Sequence, residues 1–481
     1  MIMKRMCCFF MFMAALALTV ACTDDDSFTT SPSHLLSFST DSVALDTVFS
    51  AVPTATKSFW VYNKSGSGIR CSNIRLEKGN QTGFRVNVDG SFLGAASGFQ
   101  INDLEIRDKD SVRVFVELTS PLNYQEQPTR IMDNLVFTLE SGVQQKVNLN
   151  AFTWDAVMMT DVVVNESMTI EGDRPVIIYG GITVQEGATL NLSAGTTLYF
   201  HADAGIDVYG RLLVNGDVDH NVVLRGDRID HMFDYLPYDN VSGQWKGIHF
   251  YQQSYENVIN YADIHSASDA IVCDSAAVDK LKLSLYHSVV HNCKGAGVLS
   301  KHAVIDIQNC QVTNTLGDCV AIHGGVAQLM QCTIAQFYPF DANRGVALRF
   351  SNYYKEHHFP LYDFKCYNSI VTGYADDVIM GESVEEVPYT FLFDHCLLRT
   401  PQIEDAERIK EVVWEEPEDT IRGGVKNFAN IDTDNLRYDF RLGANSLAIG
   451  AADPSHFMEY DRNGLRRDEQ PDLGCYEYVN P

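Results

Sequence analysis

The strongest constraint on this chain is an internal period of 22 residues. Leu285-Tyr286-His287-Ser288-Val289-Val290, Ile307-Gln308-Asn309-Cys310-Gln311-Val312 and Leu329-Met330-Gln331-Cys332-Thr333-Ile334 superpose position for position, so Ser288, Cys310 and Cys332 recur at intervals of 22. The same shape returns as Cys366-Tyr367-Asn368-Ser369-Ile370-Val371 and Phe393-Asp394-His395-Cys396-Leu397-Leu398, after longer intervals that imply inserted loops. A second column is read through Val298, Val320, Val346 and Val378. Regularity of this kind marks a solenoid in which each repeat contacts only its neighbours. From Ile178 onward the strands are short and punctuated by glycine, as in Gly205-Ile206-Asp207-Val208, and no helical stretch separates them. They cannot make a doubly wound sheet. A leucine-rich repeat has a similar period, but L-x-x-L-x-L-x-x-N and its helical return are both missing.

In a parallel β-helix the strands stack about 4.8 Å apart, so equivalent positions form columns. Ser288, Cys310, Cys332, Ser369 and Cys396 are expected to share one inward corner as small buried groups. His287, Asn309, Gln331, Asn368 and His395 fall at the adjacent bend. There a polar side chain can bond to the backbone of the next coil, an arrangement that resembles the asparagine ladder of β-helix proteins. The end of the chain carries Asp461-Arg462-Asn463-Gly464-Leu465-Arg466-Arg467 and then Asp472-Leu473-Gly474-Cys475-Tyr476-Glu477. That order is similar to the ending of many pectate-lyase-like proteins. The resemblance covers roughly Gly180 to Pro481 and implies a right-handed parallel β-helix. It specifies activity poorly, because the superfamily includes lyases, hydrolases and adhesins.

Upstream, Ser58–Tyr62, Phe84–Val88, Ser111–Val116 and Leu135–Leu139 alternate polar and apolar residues between turns. This pattern predicts an immunoglobulin-like β-sandwich. The expected organisation is a signal peptide at 1–21, a tether at 22–34, the sandwich at 35–153, the β-helix at 154–430 and a C-terminal cap at 431–481. Lys4 and Arg5 precede an apolar run too short to span a bilayer comfortably, and the run ends in Leu18-Thr19-Val20-Ala21-Cys22. That ending resembles a bacterial lipobox, with Thr19 in place of the usual leucine. It implies a lipid on Cys22 and an outer-membrane anchor, with Asp24, Asp25 and Asp26 forming either a surface-export signal or a solvated tether. Pro401 to Gly423, rich in acids, reads as an exposed helical or irregular insertion.

A net charge of -27 opposes contact with phosphate backbones, which removes nucleic acid from the expected partners. Removing Cys7, Cys8 and Cys22 leaves nine cysteines, an odd number without C-x-x-C spacing. Neither a disulfide framework nor a cysteine zinc site is expected, and no metal or other cofactor is assigned.

Chemistry is harder to find. A polysaccharide lyase needs a base beside carboxylates, and a glycosidase needs paired carboxylic acids. Asp394-His395 resembles a pectate-lyase stretch but coincides with the repeat. Arg408-Ile409-Lys410 and Asp376-Asp377 match fragments of polygalacturonases whose other motifs are absent. His265, His291 and Thr313 align as an outer strip, read as a solvated face or as a metal or sugar site. Tyr353, Tyr354, His357, His358 and Tyr362 lie within a 37-residue interval between Cys332 and Ser369 and are expected to project as a loop, with Trp245 as a second aromatic platform. Such rings stack on sugars or pack the loop against the solenoid. No catalytic motif emerges. The expected function is an envelope lipoprotein presenting its β-helix to a glycan or another envelope protein; the alternative is a lyase or hydrolase of acidic polysaccharide.

Overall fold

The computed structural model describes residues 27–233, 235–419 and 421–480. Cys22, with the segment 1–21 expected to be a signal peptide, lies outside them. The chain divides into two compact units between Asp155 and Ala156.

The first unit is a β-sandwich. One five-stranded sheet runs in the order Leu36–Phe38, Lys57–Asn63, Ser111–Leu118, Phe84–Val88, Ser91–Phe92; the other in the order Ser42–Phe49, Gln144–Trp154, Thr129–Leu139, Ile69–Leu76, Gln100–Ile106. Neighbours are antiparallel except Ser42–Phe49 and Gln144–Trp154, which run parallel. The period-two pattern places Val61, Val86, Val114 and Val116 of one sheet and Ile74, Leu135, Phe137 and Leu149 of the other in a single core.

The second unit is a parallel β-helix whose 26 strands form one continuous sheet. Three faces repeat. The first includes Ile206–Val208, Ile248–Phe250, Ile271–Cys273 and the starts of Val298–Gln308 and Val320–Met330; the second includes Asn257–Asn260 and Leu283–Tyr286; the third includes Ala262–His265, Val289–His291, Gln311–Thr313 and Thr333–Gln336. Alternation turns every second side chain inward, and one apolar cluster extends from Val164 to Leu398. Gly324 and Gly325, both at positive φ, let the chain pass from the first face to the second, where a Cβ on Gly325 would lie 2.2 Å from Ala303 O.

The inward corner is as expected: Ser288, Cys310, Cys332, Ser369 and Cys396 are fully buried. They also stitch coils together, since Ala262 N donates to Ser288 Oγ at 3.0 Å and Cys332 N donates to Ser369 Oγ at 3.0 Å. Nine cysteines are free and buried among the described residues.

Three expectations need correction. The bend residues His287, Asn309, Gln331, Asn368 and His395 all take positive φ, and Asn309, Gln331 and Asn368 bond the next coil through their backbone N–H groups, but their side chains do not. Asn309 Nδ2 donates to Tyr460 O, Gln331 Oε1 accepts from Met458 N, and Asn368 Nδ2 donates to His456 O. The C-terminal segment is therefore a strap laid along the flank, crossing coil after coil, and not only a cap on the end. Second, the valine column is misregistered: Val320 pairs with Leu348 rather than Val346, and Leu348 pairs with Ile379 rather than Val378. Third, of the two forms expected for the acidic insertion the irregular one is found among the described residues, except that Ile409–Lys410 and Val413–Trp414 pair with the preceding coil and so belong to the solenoid.

Candidate functional site

The outer surface of the first face carries aromatic, charged and apolar side chains in register. In each three-residue strand the ends point inward, so the middle residue faces out. Stacked register then gives a column Asp207, His249, Val272, Leu299, Ala321, Arg349 and Met380. Two residues further along each strand, Tyr209, Tyr251, Asp274 and Lys301 form a parallel edge, continued in register by His323, Ser351 and Glu382. The apolar trio Val272, Leu299 and Ala321 forms the floor between polar ends.

The edge is rigid. Tyr209 and Tyr251 stack with centroids 4.1 Å apart, and His249 lies on Tyr251 at 4.0 Å. Tyr251 OH donates to Asp207 at 3.1 Å, and the buried Lys282 donates through Nζ to Tyr251 O at 2.6 Å. Asp274 accepts from His249 Nε2 at 2.9 Å and is paired with Lys301 Nζ at 2.6 Å. Burial opposes ionisation of Asp274, but those two partners outweigh it and hold its carboxyl at about 2. Arg349 is bound by Asp318 at 2.6 Å and Glu382 at 2.7 Å.

The tyrosine loop borders this face. Tyr353 and Tyr354 pair with His358 and His357 in a two-stranded antiparallel hairpin. The histidines are exposed while both tyrosines are half-buried. Tyr354 packs 4.7 Å from His323, with Lys301 Nζ 5.9 Å above its ring. Tyr362 is not in the loop: it belongs to Leu361–Tyr367, a strand of the solenoid, although its ring is exposed. Trp245 cannot be a platform. It is 1% exposed, stacks on Phe200 at 4.3 Å, and donates through Nε1 to His265 O at 2.8 Å. Its backbone bridges in parallel to Ala267 on the next coil, and its ring is part of the solenoid core, not of the preceding aromatic loop.

His265, His291 and Thr313 do form one column, on the third face. It is not the solvated strip expected, because His265 and Thr313 are buried. Asp263, two residues before His265, accepts from both imidazoles. Sequence reading missed Asp263, His249, Asp274 and Tyr251. The shared Ile-x-Val, Ile-x-Phe and Ile-x-Cys triplets at Ile206, Ile248 and Ile271 would have aligned the first-face column, but their uneven spacings of 42 and 23 residues hid it.

Fold and site together define a parallel β-helix protein with a mixed aromatic and charged outer strip. No family model matches the sequence, and no curated protein matches it. Among solved structures, the chain is similar to the crystal structure of pectate lyase Pel9A, at 10% identity and a TM-score of 0.29, over 68% of this chain and 88% of that chain.

Proposed function

We propose that this protein is a cell-envelope lipoprotein, anchored through Cys22, whose β-helix binds an extended polysaccharide along the outer strip of the first face. The observation that carries this reading is the continuity of the strip. An apolar floor of Val272, Leu299 and Ala321 is edged by the Tyr209–Tyr251 stack, the Asp274–Lys301 pair and Tyr354. Apolar floors with a few fixed polar groups suit sugars, whose faces are apolar and whose rims are hydroxylated. Tyr251 and Asp274 are already held in place, so little ordering entropy opposes binding.

Binding is favoured over cleavage because Lys301 and Arg349 are both engaged by carboxylates. A base for proton abstraction needs a free lone pair. The test is retention of the full chain on immobilised acidic and neutral polysaccharides, together with assays for unsaturated and reducing ends. Retention without product release supports the proposal. Product release supports the lyase or hydrolase alternative, and neither result redirects the strip to a protein partner.

A further inference from the structure

We infer that Asp263, His265 and His291 form a binding site for one divalent first-row transition ion of the zinc or cobalt type. The site is on the third face and is independent of the polysaccharide reading. Asp263 Oδ1 lies 2.8 Å from His265 Nδ1 and 3.2 Å from His291 Nε2, and the ligating atoms of all three fall within 4.8 Å of one another. In a tetrahedral zinc site with bonds of about 2.0–2.1 Å, ligand atoms sit about 3.3 Å apart, so the two Asp263 distances already lie within about 0.5 Å of that value, and the two imidazole nitrogens need to close by at most about 1.5 Å.

The β-helix itself creates the arrangement. His265 and His291 are register partners on successive coils, and their rings stack at 4.8 Å. Asp263 points to the same side as His265, since side chains two apart on a strand share a face. The backbone on either side is pinned. Ser266 Oγ and Asn292 Nδ2 both donate to Asp239 O, at 3.0 Å and 3.1 Å, and Trp245 Nε1 holds His265 O. A first shell on rigid strands, braced by neighbours, is the geometry that metal sites require.

The chemistry of the donors selects the ion. Two imidazoles and one carboxylate suit zinc, cobalt, nickel or iron(II), whereas calcium and magnesium take oxygen. A bound ion takes the place of the proton between His265 Nδ1 and Asp263 Oδ1, and the ring proton moves to Nε2, which is buried and makes no hydrogen bond that would hold it in the other tautomer. Three protein donors leave at least one coordination position for water, on the side where Asp263 and His291 are 36% and 24% exposed.

The test uses the full mature chain without a histidine tag, dialysed against chelator and titrated with Co2+ or Zn2+. Wild type is expected to bind one equivalent, develop visible ligand-field absorption with Co2+, and melt at a higher temperature with Zn2+. Asp263→Asn and His291→Gln, near-isosteric changes chosen to preserve the fold, should each weaken affinity by at least about 100-fold, more than the loss of an outer-shell partner costs. His220→Ala, at an exposed histidine elsewhere, should bind as wild type does. Folded Asp263→Asn and His291→Gln proteins, checked by circular dichroism, that bind with wild-type affinity would overturn the assignment. So would a wild type that takes up no stoichiometric ion.

Discussion

The first face and the strapped flank are built by the same device, rows of side chains repeated at the coil spacing, yet they end in opposite states. On the flank, Asn309, Gln331 and Asn368 are consumed by the C-terminal segment, and Arg467 is buried against Glu477, Asn309 and the carbonyls of Asp472 and Gly474. On the first face, Tyr209, Tyr251 and His249 stack on one another, Asp207 and Asp274 hold Tyr251, His249 and Lys301, and the three rings and Lys301 stay partly open. A solenoid therefore offers equivalent rows, and the covering segment decides which become structure and which remain available for binding.

The most damaging test of that contrast is to charge the interior that both regions share. Cys310→Arg buries an unpaired cation where Cys310 has no exposure, and it should abolish cooperative folding or cost several kcal/mol. Cys310→Ser keeps the size and a hydrogen-bonding group, and should cost about 1 kcal/mol. Thermal melts compare the two; equal tolerance would mean that the inward register is wrong. Arg467→Ala comes next. It leaves Glu477 buried without its 3.0 Å partner, and a loss of about 3 kcal/mol is expected. Hydrogen exchange should rise across the strap, near residues 453–477, before it rises on the first face. Uniform exchange would show that the strap is not a separate unit.

The two regions should also answer pH with opposite signs. Asp274 on the open face is held at about 2, below its ordinary 3.8, so its stabilisation is present above 3.8 and is lost as pH falls through 2. Asp472 in the strap is raised to about 6, first by burial and further by Glu477, although Gly450 N and Tyr478 N bond its charged form. Its contribution is fully present below 3.8 and is lost as pH rises through 6. Each shift is worth on the order of 2–3 kcal/mol. Denaturant melts from pH 2 to 7 on Asp274→Asn and Asp472→Asn should each remove one slope and leave the other. If both variants flatten the same window, the assignment of environments fails.

What was legible in the sequence follows the same divide. The Ser288–Cys310–Cys332 column was read correctly because packing permits few residue types at an inward corner, and the constraint recurs unchanged in each coil. The sandwich strands were found for the same reason, since a half-buried strand must alternate. The partners of Asn309 and Asn368 were not legible, because a long-range contact with His456 or Tyr460 leaves no local period. The first-face strip stayed hidden because outward positions tolerate many residues. Asp207, His249, Val272 and Leu299 share a column but no chemical type. Trp245 was misassigned since an aromatic beside an aromatic loop looks the same in sequence whether it turns in or out.

The smallest expected stability effect separates binding from structure on the open face itself. Tyr251 is fixed by its stack with Tyr209, its bond to Asp207 and the grip of Lys282 on its carbonyl. Tyr353 and Tyr354 sit on a two-stranded hairpin outside the solenoid core. An aromatic contact with a ligand is worth about 0.5–1.5 kcal/mol, so Tyr251→Ala should weaken polysaccharide retention by roughly 3- to 10-fold. Tyr353→Ala with Tyr354→Ala should weaken it comparably while leaving the melting temperature nearly unchanged, because a surface hairpin shields little of the core. The contacts of Tyr354 with His323 and Lys301 argue the other way, since removing that ring uncovers part of the edge. If the double variant unfolds, the hairpin behaves like the strap, as a cover. If it stays folded and loses retention, the hairpin is part of the binding edge, and the open face extends from Tyr209 to Tyr354.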